Sequence, residues 1–168
     1  SFVYDNSSSE VIIYDSVSIN PHSIFCCVDG GSDSDVAKAI FEVKSAGCGY
    51  TGNKTVQVVD KVSSVSYPVS FSRPIEISIC YKIVVDKGTS SSLDLVDSIK
   101  QAVVDYSNGK IAPFSGFQIG KNISPFESAA AINSYVSGIT VMDLQVGLNK
   151  NKLSTSDIDI HVNQVARV

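Results

Sequence analysis

Charge is what this chain has least of. Only 18% of its 168 residues are Asp, Glu, Lys or Arg, against about 25% in an ordinary globular chain. The balance is acidic, at net −4. The lysines are dispersed, so no basic field exists to displace counterions, and nucleic acid is excluded as a partner. No apolar run reaches the roughly 18 residues of a membrane span, so no membrane partner is expected. Residues 1–10 lack the basic region and apolar core of a signal peptide. There is no initiator Met, and the chain is expected to be an excised piece of a larger protein. Cysteine is sparse and wrongly spaced for metal. Cys26 and Cys27 are adjacent on a strand and point to opposite faces. Cys48 and Cys80 complete no C-x-x-C, and only His22 and His161 are at hand to help. All four cysteines are expected to be free thiols acting as small buried hydrophobes of a reducing compartment, with no metal and no cofactor.

What is present is a chain of two α+β halves, 1–73 and 74–168. Each is expected to hold a mixed or antiparallel sheet with one or two helices packed on one face. In the first half, Val11 to Tyr14 and Ile24 to Val28 are β-branched and aromatic and read as strands, with Asn20-Pro21 turning between them. Gly30-Gly31 opens backbone geometry closed to other residues. Ser32 or Asp33 then caps a helix whose apolar stripe is Val36, Ala39, Ile40 and Val43, stopped by Gly47. Gly49 to Asn53 reads as a turn, and Thr55 to Asp60 and Val65 to Phe71 as paired strands. In the second half, Ile75 to Val85 alternates as one half-buried strand. Gly88 to Ser92 is a loop, and Ser91 caps a helix turning Leu93, Val96, Ile99, Val103 and Tyr106 inward. Residues 111–120 are irregular and aromatic. Ser124, Pro125 and Glu127 spell a capping box with Pro at the first helical position, before a helix packing Ala129, Ile132, Tyr135 and Val136. Ile139 to Leu148 and Ile158 to Val168 close the fold as candidate edge strands.

No catalytic constellation emerges. Asp29 to Asp35 has acids, but its glycines precede them, which is the wrong register for an EF-hand. The double glycine before a helix lacks both phosphate-binding fingerprints, and three nearby aspartates repel phosphate. G-x-S-x-G is absent. His22 reads as a turn side chain and His161 as a solvent-face strand residue. Glu42, Glu76 and Glu127 lie on separate elements. We expect no catalytic residues. The interface candidates are Phe114, Phe117 and Phe126, aromatics in and beside a glycine-rich loop, and Arg73, whose planar fork suits bracing the join of the two halves.

A series of short words follows one order along the chain. They are Pro21 to Ile24 (PHSI), Asp29 to Gly31 (DGG), Val36 to Ile40 (VAKAI), Lys44 to Gly49 (KSAGCG) with Gly52, and Val69 to Pro74 (VSFSRP). In this order, and with the helix to Tyr106 and the strand entry at Gly138-Ile139, the chain resembles the middle and C-terminal portion of the baseplate J-like family. The resemblance implies a structural, non-enzymatic subunit of the contractile-tail baseplate wedge of a phage or prophage. Related subunits are implied in type VI secretion and tailocin-like particles. Its implied partners are other wedge and hub proteins, and its implied place is the virion tail baseplate, assembled in the bacterial host cytoplasm. Weak self-association through the second half is expected, with Phe114 and Phe117 at the contact. The alternative is a small cytosolic enzyme or ligand-binding domain using the Gly30-Gly31 turn and His22.

Overall fold

A computed structural model describes residues 1–44, 47–88 and 94–168. The fold is α+β, with three helices and twelve strands in several small sheets among the described residues. The chain divides into two compact units: 1–75 with 161–163, and 76–160 with 164–168. The expected division at 73/74 does not foresee that residues 161–163 join the first unit.

The first unit is built on β1 (Phe2–Asn6), β4 (Ser23–Cys27) and β5 (Gly49–Thr51), in the order β1-β4-β5. β1 runs antiparallel to β4, and β5 runs parallel to it, Ser23 opposite Gly49. A parallel neighbour needs a crossover, and α1 (Asp33–Val43) supplies it. Two hairpins complete the unit: β2 (Ile12–Tyr14) with β3 (Val17–Ile19), and β6 (Lys54–Val59) with β7 (Ser66–Phe71). Three elements differ from expectation: β5, β1 and β3. Gly49 to Thr51 is a strand rather than a turn, because the end of α1 returns the chain beside β4. β1 falls in the opening segment, where no strand was expected; Phe2 and Tyr4 alternate onto one face and stack on Tyr14 at 6.0 and 4.3 Å. The β2–β3 turn was equally hidden. Asp15 and Ser16 both hold positive φ, 45° and 69°, the geometry that two-residue hairpins need and that Asn-Gly usually signals.

The second unit holds β8 (Ile75–Ser78), β9 (Cys80–Asp86), β10 (Thr140–Asn149), β11 (Lys152–Ser154) and β12 (Gln164–Arg167). Its sheets are β11-β10-β9 and β12-β8. The single strand expected over Ile75 to Val85 is two strands, split at buried Ile79, whose N–H donates to Arg167 O at 2.8 Å. β10 is the middle strand of its sheet rather than an edge. Ile158 to Val168 contributes only β12 and a lone bridge, Ile123 to Ile158. α2 (Leu95–Ser107) and α3 (Pro125–Tyr135) pack over a core of Ile79, Leu95, Val103, Ile123, Ile132, Leu144 and Val146. The expected Ser91 cap and Leu93 lie outside the described residues. Val96 is exposed, not inward, and Leu95 and Ala102 take its place. Ser124 precedes α3 and Pro125 opens it, but the capping box does not form. Glu127 turns to Lys121 Nζ at 2.7 Å, and Ser128 Oγ donates to Ser124 O at 2.9 Å.

Asn6 joins the elements of the first unit. It is fully buried. Its Nδ2 donates to Glu10 O (2.9 Å), Ile19 O (3.2 Å) and Asn20 O (2.9 Å), and its Oδ1 accepts from Ser8 N (3.0 Å) and Ser8 Oγ (2.7 Å). Removing that amide strands buried carbonyls, each costing about 1–3 kcal/mol. Asn6→Ala is therefore expected to destabilise the first unit by about 3 kcal/mol. The check is a lowered urea midpoint; an unchanged midpoint contradicts the hub role.

Candidate interaction surfaces

The sequence order glycine-glycine-serine-aspartate builds the start of α1. Gly30 and Gly31 hold φ of +76° and +71°, a region that strains side-chain-bearing residues. Ser32 Oγ then accepts from Asp35 N at 3.2 Å as the helix cap. The turn is held from a distance of more than forty residues by Arg73. Its Nη1 donates to Val28 O at 3.0 Å and to Gly30 O at 2.5 Å, and its Nη2 donates to Gly31 O at 2.8 Å. Nε and Nη2 both reach Asp33 Oδ1, at 3.0 and 2.8 Å. Lys54 Nζ meets Asp33 Oδ2 at 2.7 Å. The two cations hold the Asp33 carboxyl below its ordinary range, the Lys54 bond first and the Arg73 bonds second. All of these partners lie in the first unit. The oxygens singled out for calcium are thus engaged within the protein: Asp33 by two cations, and the turn's carbonyls by a guanidinium.

Beside this clamp lies an open groove of about 730 Å³, between α1 and the face of β1 and β4. Val3, Ile24, Cys26 and Val28 form its sheet side, and Val36, Ala39 and Val43 its helix side. The stripe read from the sequence is therefore only partly core. Ala37 and Ile40 are buried, while Val43 is 84% and Val3 61% exposed. The helix packs against the β6–β7 hairpin through one flank and leaves the rest of its apolar side over the groove. His22 lines one end; it is exposed, its N–H donates to Ser8 O at 3.1 Å, and its carbonyl accepts from Gly49 N at 2.7 Å.

In the second unit the aromatic candidates separate. Phe114 and Phe117 are half-buried and meet Tyr106 edge-on, with ring centroids at 6.0 and 5.7 Å, over Ile111 and Ala131. They anchor the 111–120 loop onto the core. Phe126 is 78% exposed. Its neighbour across a shallow cleft is Met142, 66% exposed. Met142 was not foreseen as a surface residue. In the β9–β10 register Val141 opposes Val85 and Asp143 opposes Val84, so Met142 is the extra residue of a β-bulge. Bulges re-aim side chains, and sequence alternation alone cannot locate them.

The second histidine is also placed differently. His161 precedes β12 rather than lying in a strand. Its Nδ1 lies 2.6 Å from Asp15 Oδ1, and Asp15 Oδ2 accepts from Val162 N at 2.7 Å. Those bonds, the one to His161 foremost, lower the Asp15 carboxyl's pKa. The four cysteines are unbridged, and burial pushes the Cys27 thiol up to about 11, which keeps it a neutral packing group. Among the described residues no three His, Cys, Asp or Glu side chains gather to hold a metal ion, and no helix is long and apolar enough to cross a membrane. No protein-family model matches this chain, and no curated protein matches it.

Two predictions follow from these placements. Asp33 has a lowered folded-state pKa, so its contribution to stability is present above the ordinary carboxylate range and is lost as pH falls through the lowered value. Arg73→Ala, which removes hydrogen bonds to a carboxylate and three carbonyls, is expected to destabilise the first unit by about 2 kcal/mol or more at neutral pH. The gap between mutant and wild type should narrow on acidification towards pH 2, followed by thermal melts across pH; a gap independent of pH refutes the Asp33 part.

The aromatic contrast gives the other. Phe117→Ala should lower the stability of the second unit by about 2 kcal/mol, whereas exposed Phe126→Ala should stay within about 0.5 kcal/mol of wild type. Chemical denaturation of both variants decides, and equal losses would refute the assignment of anchor and surface residue.

Proposed function

We propose that this chain is a structural subunit of a contractile-tail baseplate wedge, from a phage or prophage, working by protein–protein assembly and not by catalysis. The observation that carries the assembly reading is the uncovered groove, where the apolar side of α1 and the β1–β4 face meet without a cover over Val3 and Val43. Apolar surface rimmed by polar groups marks an interaction site. The exposed Phe126 and Met142 pair adds a second apolar patch, of the residue types enriched at interface centres. The ordered words from Pro21 to Pro74, with their resemblance to the baseplate J-like family, support the wedge identity. On this reading the groove receives another wedge or hub protein, and the location is the tail baseplate, with assembly in the bacterial host cytoplasm. Self-association is weak, about micromolar or weaker, because a single patch of this size buries too little area to offset the cost of association.

A second reading, a small cytosolic enzyme or ligand-binding domain, has one observation in its favour: His22 lines the groove. The other part of that reading, the Gly30-Gly31 turn, has its carbonyls engaged by Arg73.

The gene is expected to lie among tail-sheath and baseplate genes, and antibody to the chain to label the base of purified contractile particles. Val43→Asp should leave the melting temperature within a degree or two, since surface changes are near neutral, yet prevent incorporation into those particles. A gene set among metabolic enzymes, with the chain absent from the particles, would overturn the reading.

A further inference from the structure

A second cavity of the first unit is more polar than the groove, with Val17, Phe25 and Ile75 as its apolar part. It measures about 310 Å³, at the small end of the roughly 300–1,000 Å³ that ligand sites span. Its polar lining comes from separate stretches of chain: Ser18 of β3, Thr51 and Asn53 around the β5–β6 turn, Ser72 after β7, and Asn163 of the returning segment. Phe25 of β4 supplies an apolar wall. Gly52 makes the cavity's turn possible, because a Cβ there would stand 2.4 Å from the Phe71 carbonyl carbon.

The hydrogen bonds determine what the cavity offers a ligand. Ser23 Oγ donates to Asn20 O at 2.7 Å. The 2.6 Å contact between Ser23 and Thr51 hydroxyls therefore takes its proton from Thr51. Thr51 Oγ1 also accepts from Asn20 N at 3.0 Å, which leaves it one lone pair. Ser72 Oγ accepts from Asn53 N at 3.3 Å and keeps its proton to give. Among the described residues the side-chain amides of Asn53 and Asn163 bond to no protein group, while the Asn163 backbone is fixed by Ile75 N–H at 2.8 Å from its carbonyl. Arg73 also borders the cavity, and its charge is met by Asp33 at 2.8 Å.

We propose that this cavity binds a neutral polyhydroxylated ligand of monosaccharide size. Each amide presents a donor and an acceptor side by side, which matches neighbouring hydroxyls that can each both give and take a proton. The lining bears no uncompensated charge, so an ionic ligand would lose hydration without gaining a counter-charge. Phosphate in particular finds the guanidinium donors of Arg73 already engaged by the Gly30-Gly31 turn and Asp33. This site is separate from the assembly groove, and neither reading depends on the other.

The test titrates the full, isotopically labelled chain with D-glucose, D-galactose, D-mannose and N-acetyl-D-glucosamine. D-glucuronate and inorganic phosphate serve as charged probes. At least one neutral sugar is expected to shift the backbone amides of Thr51, Gly52, Asn53, Ser72 and Asn163 saturably, with an affinity of about millimolar. Asn53→Ala and Asn163→Ala should each weaken it by about tenfold or more, with melting temperatures unchanged because neither amide holds the fold together. The proposal fails if no neutral sugar produces a localised, saturable shift, if phosphate or glucuronate binds more tightly than every neutral sugar, or if both alanine variants bind as wild type does.

Discussion

Arg73 donates from all three guanidinium nitrogens to one turn and to the first residue of the helix that follows it. The rest of the first unit depends on that clamp. Two consecutive glycines at positive φ turn the carbonyls of residues 30 and 31 the same way, and a rigid, planar, permanently charged fork can meet several of them at once. A lysine offers a point charge and could not. The same fork holds Asp33, so the helix begins at a fixed residue and leaves β4 in a fixed direction. Since the crossover must land β5 beside β4 in parallel, the clamp sets where the sheet closes and where the groove opens. Arg73 was expected to brace the join of the two halves; the partners it is seen to hold are Val28, Gly30, Gly31 and Asp33 of its own unit.

The groove is a consequence of a shortage of covering elements. A sheet face of three strands spans about 10 Å between outer strands at 4.7–4.9 Å spacing, and α1 packs mainly towards the β6–β7 hairpin. Val3 and the outer side of α1 are left uncovered. Apolar positions at helical spacing on an exposed face cost solubility and are retained where something else covers them. The second unit has a related arrangement: an open cleft of about 590 Å³ lies between β9 residues Tyr81, Ile83 and Val85 and the Val96, Ile99 and Val103 side of α2. Apolar space beside a helix thus recurs in both units.

How much of this could be read in the sequence follows from how local each determinant is. The Ser32 cap, the helix after it and the β6–β7 pair rest on neighbours within a few residues, and all were legible. The α+β class followed from the alternation of strand and helix periods. Signals that depend on distant partners were not. Gly49 to Thr51 has the composition of a turn and is a strand only because β4 lies beside it. Residue 142 has the ordinary place of a strand residue, and the bulge that turns it outward is set by the partner strand. The capping box at Ser124 failed because Lys121, just upstream, takes the glutamate. The Val36 to Val43 stripe had the right period, yet periodicity says which face is apolar and not whether anything covers it. The polar cavity was invisible for the same reason: Thr51, Ser72 and Asn163 are far apart in the chain, and no spacing rule gathers them.

The low charge of the chain connects these features. The Arg73–Asp33–Lys54 cluster, Asp15–His161 and Lys121–Glu127 all fasten a turn or a helix start. Removing an ion from water costs several kcal/mol even after the protein relaxes. A surface that is to be buried against a partner is therefore easier to bury when its charges have been drawn elsewhere. The mostly apolar linings of the two open clefts, with Asp5 and Lys44 in the first and Lys100 in the second, go part of the way to that requirement. So does the polar cavity, where amides and hydroxyls can exchange water for a ligand's hydroxyls one bond at a time without exposing or stranding a charge. The clamp that consumes Arg73 and Asp33 thus does more than start a helix: it pairs off the guanidinium that borders the polar cavity.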